Sequence, residues 1–298
     1  LQGLEPDEIR ALLGLTREFA EQGPRPVLTG RTVATLFFED STRTRTSFML
    51  AASRLGATVV DLSGAGTSMS KGETPTDTAQ VIEAMGVDAI VVRDKHAGVP
   101  SLLHRAVQCS VLNAGDGKHE HPTQGLLDLY TLGESLGLLD SFDYSGLNIV
   151  IVGDLASSRV ARSTTAGLSA LGAHVTLVGP PTLAPRKLSV LGCDVSTDLD
   201  AALEDADAVM MLRIQFERGA GRQLAGVADY RVGYALDPER AARLKPGAVV
   251  LHPGPINRGV ELDTPVADGG RSVVLRQVRN GVFVRMAALS ACMATLPA

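Results

Sequence analysis

Six consecutive residues, Ser41-Thr42-Arg43-Thr44-Arg45-Thr46, carry four hydroxyls and two guanidinium groups. They follow the apolar run Val33–Phe38 and open a stretch with helical periodicity. A helix start there presents unpaired N–H groups and a partial positive charge. Hydroxyls and arginines added to such a start suit a phosphate dianion. The segment lacks the glycines and the Gly-Lys-Ser/Thr ending of a P-loop. A Ser/Thr cap followed by solvated arginines would use the same residue types, so composition alone leaves both readings open.

A second polar cluster runs from Asn113 to Gln124. Asp116, His119, Glu120 and His121 could hold a metal, although the helix that follows supplies no further His or Cys. Alternatively, His121 and Gln124, about one helical turn apart, could donate to a carbonyl and accept from an amide NH₂. Arg93 closes the apolar run Ala89–Val92, where a surface ion pair explains it equally well. The loop Thr67–Thr74, with Ser68 and Lys71, reads by itself as a solvated turn.

The second half opens on Ile151-Val152-Gly153-Asp154-Leu155-Ala156-Ser157-Ser158-Arg159. It resembles a dinucleotide turn but holds only one of the three glycines needed, which argues against a nicotinamide cofactor. Arg159 falls where a helix begins. Arg213 and Gln215 alternate on one side of an extended segment. Two arginines from one domain can fork onto the carboxylates of a small dicarboxylate; two surface charges would look the same.

These residues need strand exits and helix starts to bring them together. Apolar runs predict strands at 33–38, 57–62, 89–92, 111–113, 148–152, 174–178, 208–212 and 248–251. Helical patterns cover 44–55, 77–85, 125–136, 159–171, a stretch near 200–204 and about 287–295, after an opening helix that begins at Pro6-Asp7. Continuous apolar strands between helices predict parallel sheets covered on both faces. The fold class is α/β, with two doubly wound parallel-sheet domains joined by the long helix before residue 140. The expected domains are 1–139 and 140–285, with the C-terminal helix of 286–298 packing back on the first. In such sheets ligands bind beyond the carboxyl ends of the strands, where the clusters above lie.

The 298 residues fit two domains. A net charge of −5 without a long basic run argues against nucleic acid. Three scattered cysteines suggest neither a disulfide framework nor a metal site and fit a reducing cytoplasm. Apolar runs are only strand-length, and the first residues lack a signal-peptide layout. The chain opens at Leu1 and not Met, so a few preceding residues are expected.

Taken together and in order, these segments resemble the aspartate/ornithine carbamoyltransferase family over essentially the whole chain. Ser41-Thr42-Arg43-Thr44-Arg45 resembles its carbamoyl-phosphate loop. His121-Pro122-Thr123-Gln124, Arg213-Ile214-Gln215 and His252-Pro253-Gly254-Pro255-Ile256-Asn257-Arg258-Gly259-Val260-Glu261 are similar to the aspartate branch. The ornithine branch has Cys in place of Thr123 and a His-Cys-Leu-Pro segment near the C-terminus.

The resemblance implies transfer of a carbamoyl group from carbamoyl phosphate to L-aspartate, giving N-carbamoyl-L-aspartate and phosphate in de novo pyrimidine biosynthesis. It implies that Ser41, Thr42, Arg43 and Thr44 hold phosphate, that Thr44, Arg93 and His121 donate to the carbamoyl oxygen, and that Gln124 meets the carbamoyl NH₂. Arg159, Arg213, Gln215 and Lys71 would hold aspartate, with the backbone at Pro253 and Gly254 near its amine. Ser68 and Lys71 would reach a neighbouring subunit's site in a homotrimer, alone or within a larger assembly with dihydroorotase or regulatory chains. Glu39, Arg159 and Arg218 would pair on domain closure. No metal or organic cofactor is implied, and the expected location is cytoplasmic.

Overall fold

The computed structural model describes residues 1–62, 73–215, 224 and 226–294; Ser68, Lys71 and Arg218 lie outside the described residues. The chain divides into two compact units, one of Arg10–Thr123 with the segment from Arg279 onward, the other of Leu1–Ile9 with Gln124–Val278. Each holds one wholly parallel sheet flanked by helices.

The first unit carries four strands, β1 (Thr32–Phe37), β2 (Thr58–Asp61), β3 (Ala89–Asp94) and β4 (Ser110–Asp116), in the order β2-β1-β3-β4. Helix α1 (Pro6–Gln22) precedes them; α2 (Thr42–Arg54), α3 (Pro75–Ala84) and α4 (Val99–His104) connect them. The run Val33–Phe37 is apolar on both faces because both are covered. Val33 and Phe37 pack with Phe48, Ala51 and Ala52 of α2, while Ala34 and Leu36 pack with Ala79 and Ile82 of α3 and Leu103 of α4. Burying a side chain as large as Phe48 completely contributes roughly 1.5–3 kcal/mol.

In the second unit α5 (Pro122–Leu136) leads to five strands. These are β5 (Asn148–Val152), β6 (His174–Val178), β7 (Asp194–Ser196), β8 (Ala208–Met211) and β9 (Val249–Leu251), in the order β7-β6-β5-β8-β9. Helices α6 (Arg159–Ala170), α7 (Leu199–Leu203), α8 (Val227–Tyr234), α9 (Pro238–Arg243) and α10 (Thr264–Ala267) and a 3₁₀ turn over Arg186–Leu191 fill the connections. Val150, Val152, Val209, Met211 and Val250 form one covered face with Leu199 and Leu203 of α7.

The last helix, α11 (Val274–Met293), begins far earlier than the sequence pattern suggests. Its first turns show exposed Leu275 and Val278, and β-branched Val282 and Val284 flank Phe283 beside Gly281. Such a β-branched and aromatic run beside a glycine favours strand over helix, and tertiary packing overrides it. Met286, Ala287, Leu289 and Met293 of α11 do pack into the core of the first sheet, alongside Val33, Phe48 and Leu112. Among the described residues no helix is long and apolar enough to cross a membrane.

Candidate functional site

Both sheets reverse strand order beside their first strand. In the first, the chain goes from β1 outward to β2 and then returns to β3 on the other side; in the second, β5 is followed by β6 on one side and β8 on the other. A crevice at the carboxyl ends of the strands opens at such a reversal.

At the first reversal, Phe37 of β1 pairs with Arg93 of β3, and the Phe38 N–H donates to the Arg93 carbonyl at 2.9 Å. The β1 exit therefore runs beside the end of β3. Helix α2 starts four residues on, with Ser41 at its N-cap. The Ser41 side chain makes no capping hydrogen bond, and the first turn holds no acidic residue. By contrast, Thr74 and Asp77 close a capping box on α3, and the side chains of Ser158, Asp198 and Asp237 cap α6, α7 and α9. Cations are disfavoured at the positive end of a helix, so helix stability does not explain Arg43 and Arg45 in this turn. Thr42 and Arg43 are exposed, whereas Thr44 is buried. Arg45 turns toward Asp61, with Nε 3.8 Å from Oδ2.

Thr44 Oγ1 lies 3.5 Å from Nε2 of His121, which is buried just ahead of α5. Arg93 is oriented from two sides: Nη1 donates to the Ala114 carbonyl at 3.1 Å, and Nε lies 3.4 Å from Oε2 of Glu39. Thr44, Arg93 and His121 thus follow or end β1, β3 and β4 at the carboxyl end of the sheet. Glu39 meets an arginine of its own unit, a partner that sequence reasoning did not anticipate.

The other members of the β4 exit are engaged locally. Asp116 accepts from Asn113 Nδ2 at 2.8 Å, Glu120 N at 3.1 Å and Gly98 N at 2.7 Å. His119, half-exposed, pairs with the same carboxylate at 3.1 Å. Asp116 and His119 build the loop that carries His121. Among the described residues no group of three or more His, Cys, Asp or Glu is disposed to hold a metal ion. Burial pushes the Cys193 thiol up to about 11 and that of Cys109, beside Glu83, up to about 12, so neither serves as a thiolate nucleophile near neutral pH.

At the second reversal, Arg159 is the first residue of α6 and is buried, although a helix N-terminus is an unfavourable place for a buried cation. Arg213 and Gln215 follow β8, both partly exposed, with buried Ile214 between them. The β5 and β8 exits touch at Gly153, whose φ is +138°; a Cβ there would lie 2.7 Å from the Leu212 carbonyl oxygen. Gly153→Ala should cost about 1–3 kcal/mol, combining a disfavoured backbone conformation with that clash. Urea denaturation checks this; an unchanged midpoint would mean that the exits part freely.

The loop after β9 carries Pro253 and Gly254. It is fixed by fully buried His252, whose Nδ1 accepts from the Gly254 N–H at 2.8 Å and whose Nε2 lies 3.3 Å from Glu261 Oε1. Asn257 ties the loop to the β8 exit by donating Nδ2 to the Ile214 carbonyl at 3.1 Å. Gln124 is buried and donates from Nε2 to Asp128 at 2.9 Å. The Asp128, Gln277 and Glu261 partners escaped sequence reasoning, because hydrogen bonds between distant segments leave no spacing signal.

The fold and these strand exits define a class: a two-unit α/β protein with cationic, hydroxyl-rich positions at two strand-order reversals. Residues 1–134 match the family model for the carbamoyl-P binding domain of aspartate/ornithine carbamoyltransferases, and residues 145–292 match that for the Asp/Orn binding domain. The chain belongs to the aspartate/ornithine carbamoyltransferase family. It is 52% identical over 296 residues to the aspartate carbamoyltransferase catalytic subunit of Myxococcus xanthus (strain DK1622), covering 99% of this chain and 98% of that protein. It is similar to a crystal structure of aspartate transcarbamoylase from Trypanosoma cruzi in complex with carbamoyl phosphate and aspartate, with TM-score 0.83 and 31% identity over 96% of this chain and 93% of that one. The ornithine carbamoyltransferase of Pyrococcus furiosus superposes with TM-score 0.88 at 27% identity, covering 100% of this chain and 96% of that one. The backbone is shared by both acceptor types, so the acceptor must be read from side chains.

Proposed function

We propose that this chain transfers the carbamoyl group of carbamoyl phosphate to L-aspartate, forming N-carbamoyl-L-aspartate and phosphate for pyrimidine biosynthesis. The observation that carries the proposal is identity near 50% over almost the full length to catalytic subunits named for that activity. The His121-Pro122-Thr123-Gln124 and Arg213-Ile214-Gln215 segments support aspartate over ornithine.

In this reading Ser41, Thr42, Arg43 and Thr44 bind phosphate at the start of α2, where the Ser41 side chain leaves the N–H groups uncapped. Thr44, Arg93 and His121 donate to the carbamoyl oxygen, and Gln124 accepts from the carbamoyl NH₂. Arg159, Arg213 and Gln215 hold the aspartate carboxylates, and the Pro253-Gly254 backbone faces its amine. The amine attacks the carbamoyl carbon, and negative charge builds on the carbamoyl oxygen as the C–N bond forms. The bond from that carbon to the phosphate oxygen then breaks, and the departing phosphate takes the amine proton. Preorganised donors aimed at the developing charge are the main source of acceleration in such a reaction, with substrate positioning second. Ser68 and Lys71 serve a neighbouring subunit's site in a homotrimer, and Glu39, Arg159 and Arg218 favour a closed state.

Arg43→Ala tests the phosphate assignment. Loss of a charge-assisted contact of about 1.5–3 kcal/mol should weaken carbamoyl phosphate binding on the order of 10- to 100-fold, as read by calorimetry. Unchanged affinity would remove Arg43 from the site.

A further inference from the structure

We propose that Asp128 is a positioning residue: its buried carboxylate decides which end of the Gln124 amide is offered to the carbamoyl group and, through Gln277, anchors the loop that begins at His252. The inference rests on the assignment of Gln124 to the carbamoyl NH₂.

Asp128 lies on α5, only 1% exposed, and collects three donors. Oδ1 accepts from Gln124 Nε2 at 2.9 Å and from Gln277 Nε2 at 2.8 Å, while Oδ2 accepts from Thr164 Oγ1 at 2.9 Å. An ionised carboxylate only accepts, and a primary amide has one donating end and one accepting end. Each glutamine must therefore turn its NH₂ to Asp128 and its oxygen away. For Gln277 the outcome is visible, since its Oε1 accepts the His252 N–H at 2.9 Å. The same polarity leaves the Gln124 oxygen as the outward end, which an incoming NH₂ requires. Flipping that amide would set oxygen against oxygen in a buried site, where an unmatched polar contact is costly.

The scaffold around the carboxylate is tight. Gly125 and Gly167 let α5 and α6 approach closely: a Cβ on Gly125 would meet the Ser163 backbone at 3.0 Å, and one on Gly167 would meet Leu129 Cδ2 at 2.8 Å. Thr164 of α6 and Gln277 of α11 are thereby held on Asp128 within one unit. At the far end, His252 receives Gln277 on its backbone N–H, and its ring holds the Gly254 N–H. One carboxylate thus governs both a carbamoyl contact and the loop assigned to the amine.

A double-mutant cycle tests this. Asp128→Asn keeps the shape but offers a donor as well as an acceptor, so the Gln124 amide loses its fixed polarity. Turnover should fall on the order of 10- to 100-fold, while phosphate affinity at the α2 start stays within about twofold of wild type. In a Gln124→Ala background the same substitution should lower turnover less than about threefold, because the arm through which it acts on turnover is gone, while the arm through Gln277 still shows in the Michaelis constant for aspartate. If Gln124→Ala is itself as active as wild type, the assignment of Gln124 falls and this inference with it. If Gln124→Ala is impaired and the two losses multiply, the inference alone is overturned. Gln277→Met breaks the arm to His252 without altering the carboxylate, and it decides the matter should Asp128→Asn fail to fold. The proposal requires the Michaelis constant for aspartate to rise about fivefold or more, with phosphate affinity unchanged. An unaltered constant for aspartate overturns it.

Discussion

His121→Ala protein should turn over on the order of 10²–10³-fold more slowly than wild type, with the Michaelis constant for aspartate changed far less. His121 is buried, lies 3.5 Å from the Thr44 hydroxyl and follows β4, the strand that pairs with the one ending near Arg93. A donor so placed contributes most when charge has developed on the carbamoyl oxygen, so its loss falls on turnover more than on binding. His121→Asn, which keeps a short donor, should recover part of the rate. Chelators should leave wild type unaffected, because the neighbouring His119 is committed to Asp116. Steady-state kinetics and a chelator titration read both points. A loss that appears wholly in the Michaelis constant, or activity removed by chelator and restored by zinc, would contradict the assigned role.

Mixing two nearly inactive proteins should restore about a quarter of wild-type activity. In the proposed trimer each site takes Arg43 from one subunit and Lys71 from the next. Arg43→Ala and Lys71→Ala proteins, dissociated, mixed equally and reassociated, would populate hybrid rings. A site is intact when one subunit retains Arg43 and its neighbour retains Lys71; random assembly gives each a probability of about one half, hence about one quarter of sites. Recovery on that scale from near zero is hard to obtain by any other route. Hybrid trimers that form, as mass spectrometry would show, yet remain inactive would place Lys71 with its own chain's site.

Eight of the nine described strands were legible, mostly because covering both faces of the sheet leaves unbroken apolar runs such as Asn148–Val152, found with those bounds. Strand β7 (Asp194–Ser196), short, partly exposed and at a sheet edge, leaves no such run and was missed. Other short polar elements were missed as well. Helix α9 and α10 each carry an Asp at the N-cap followed by an early Pro, the Asp237-Pro238 and Asp263-Thr264-Pro265 segments, and that capping signal was there to read. Helix α11 was truncated because Gly281 and the β-branched and aromatic run Val282-Phe283-Val284 in its middle are weak helix formers. In the candidate site, the hydroxyl-and-arginine segment was visible as composition at a strand exit. Composition alone left its meaning open, since a solvated cap uses the same letters, and the phosphate reading was carried by the family resemblance; the uncapped Ser41 and the Thr44–His121 approach belong to geometry. Metal ligation by His119 and His121 was already disfavoured by the lack of a further His or Cys in the helix that follows; that His119 turns to Asp116 while His121 is buried beside Thr44 belongs to geometry. The Gln124–Asp128–Gln277–His252 chain joins residues as far apart as α5 and the loop after β9, a relation that no spacing rule encodes.

The identity of the acceptor is the central claim, because the backbone resembles aspartate and ornithine enzymes alike. Incubation of the purified protein with radiolabelled carbamoyl phosphate and equimolar L-aspartate and L-ornithine, with separation of the products, tests it most directly. N-carbamoyl-L-aspartate should form with an excess over citrulline on the order of 10³-fold or more, since arginines placed to bind two carboxylates, the role proposed for Arg159 and Arg213, would not be satisfied by a cationic side chain. Citrulline as the main product, or no carbamoylated aspartate at all, would contradict the account.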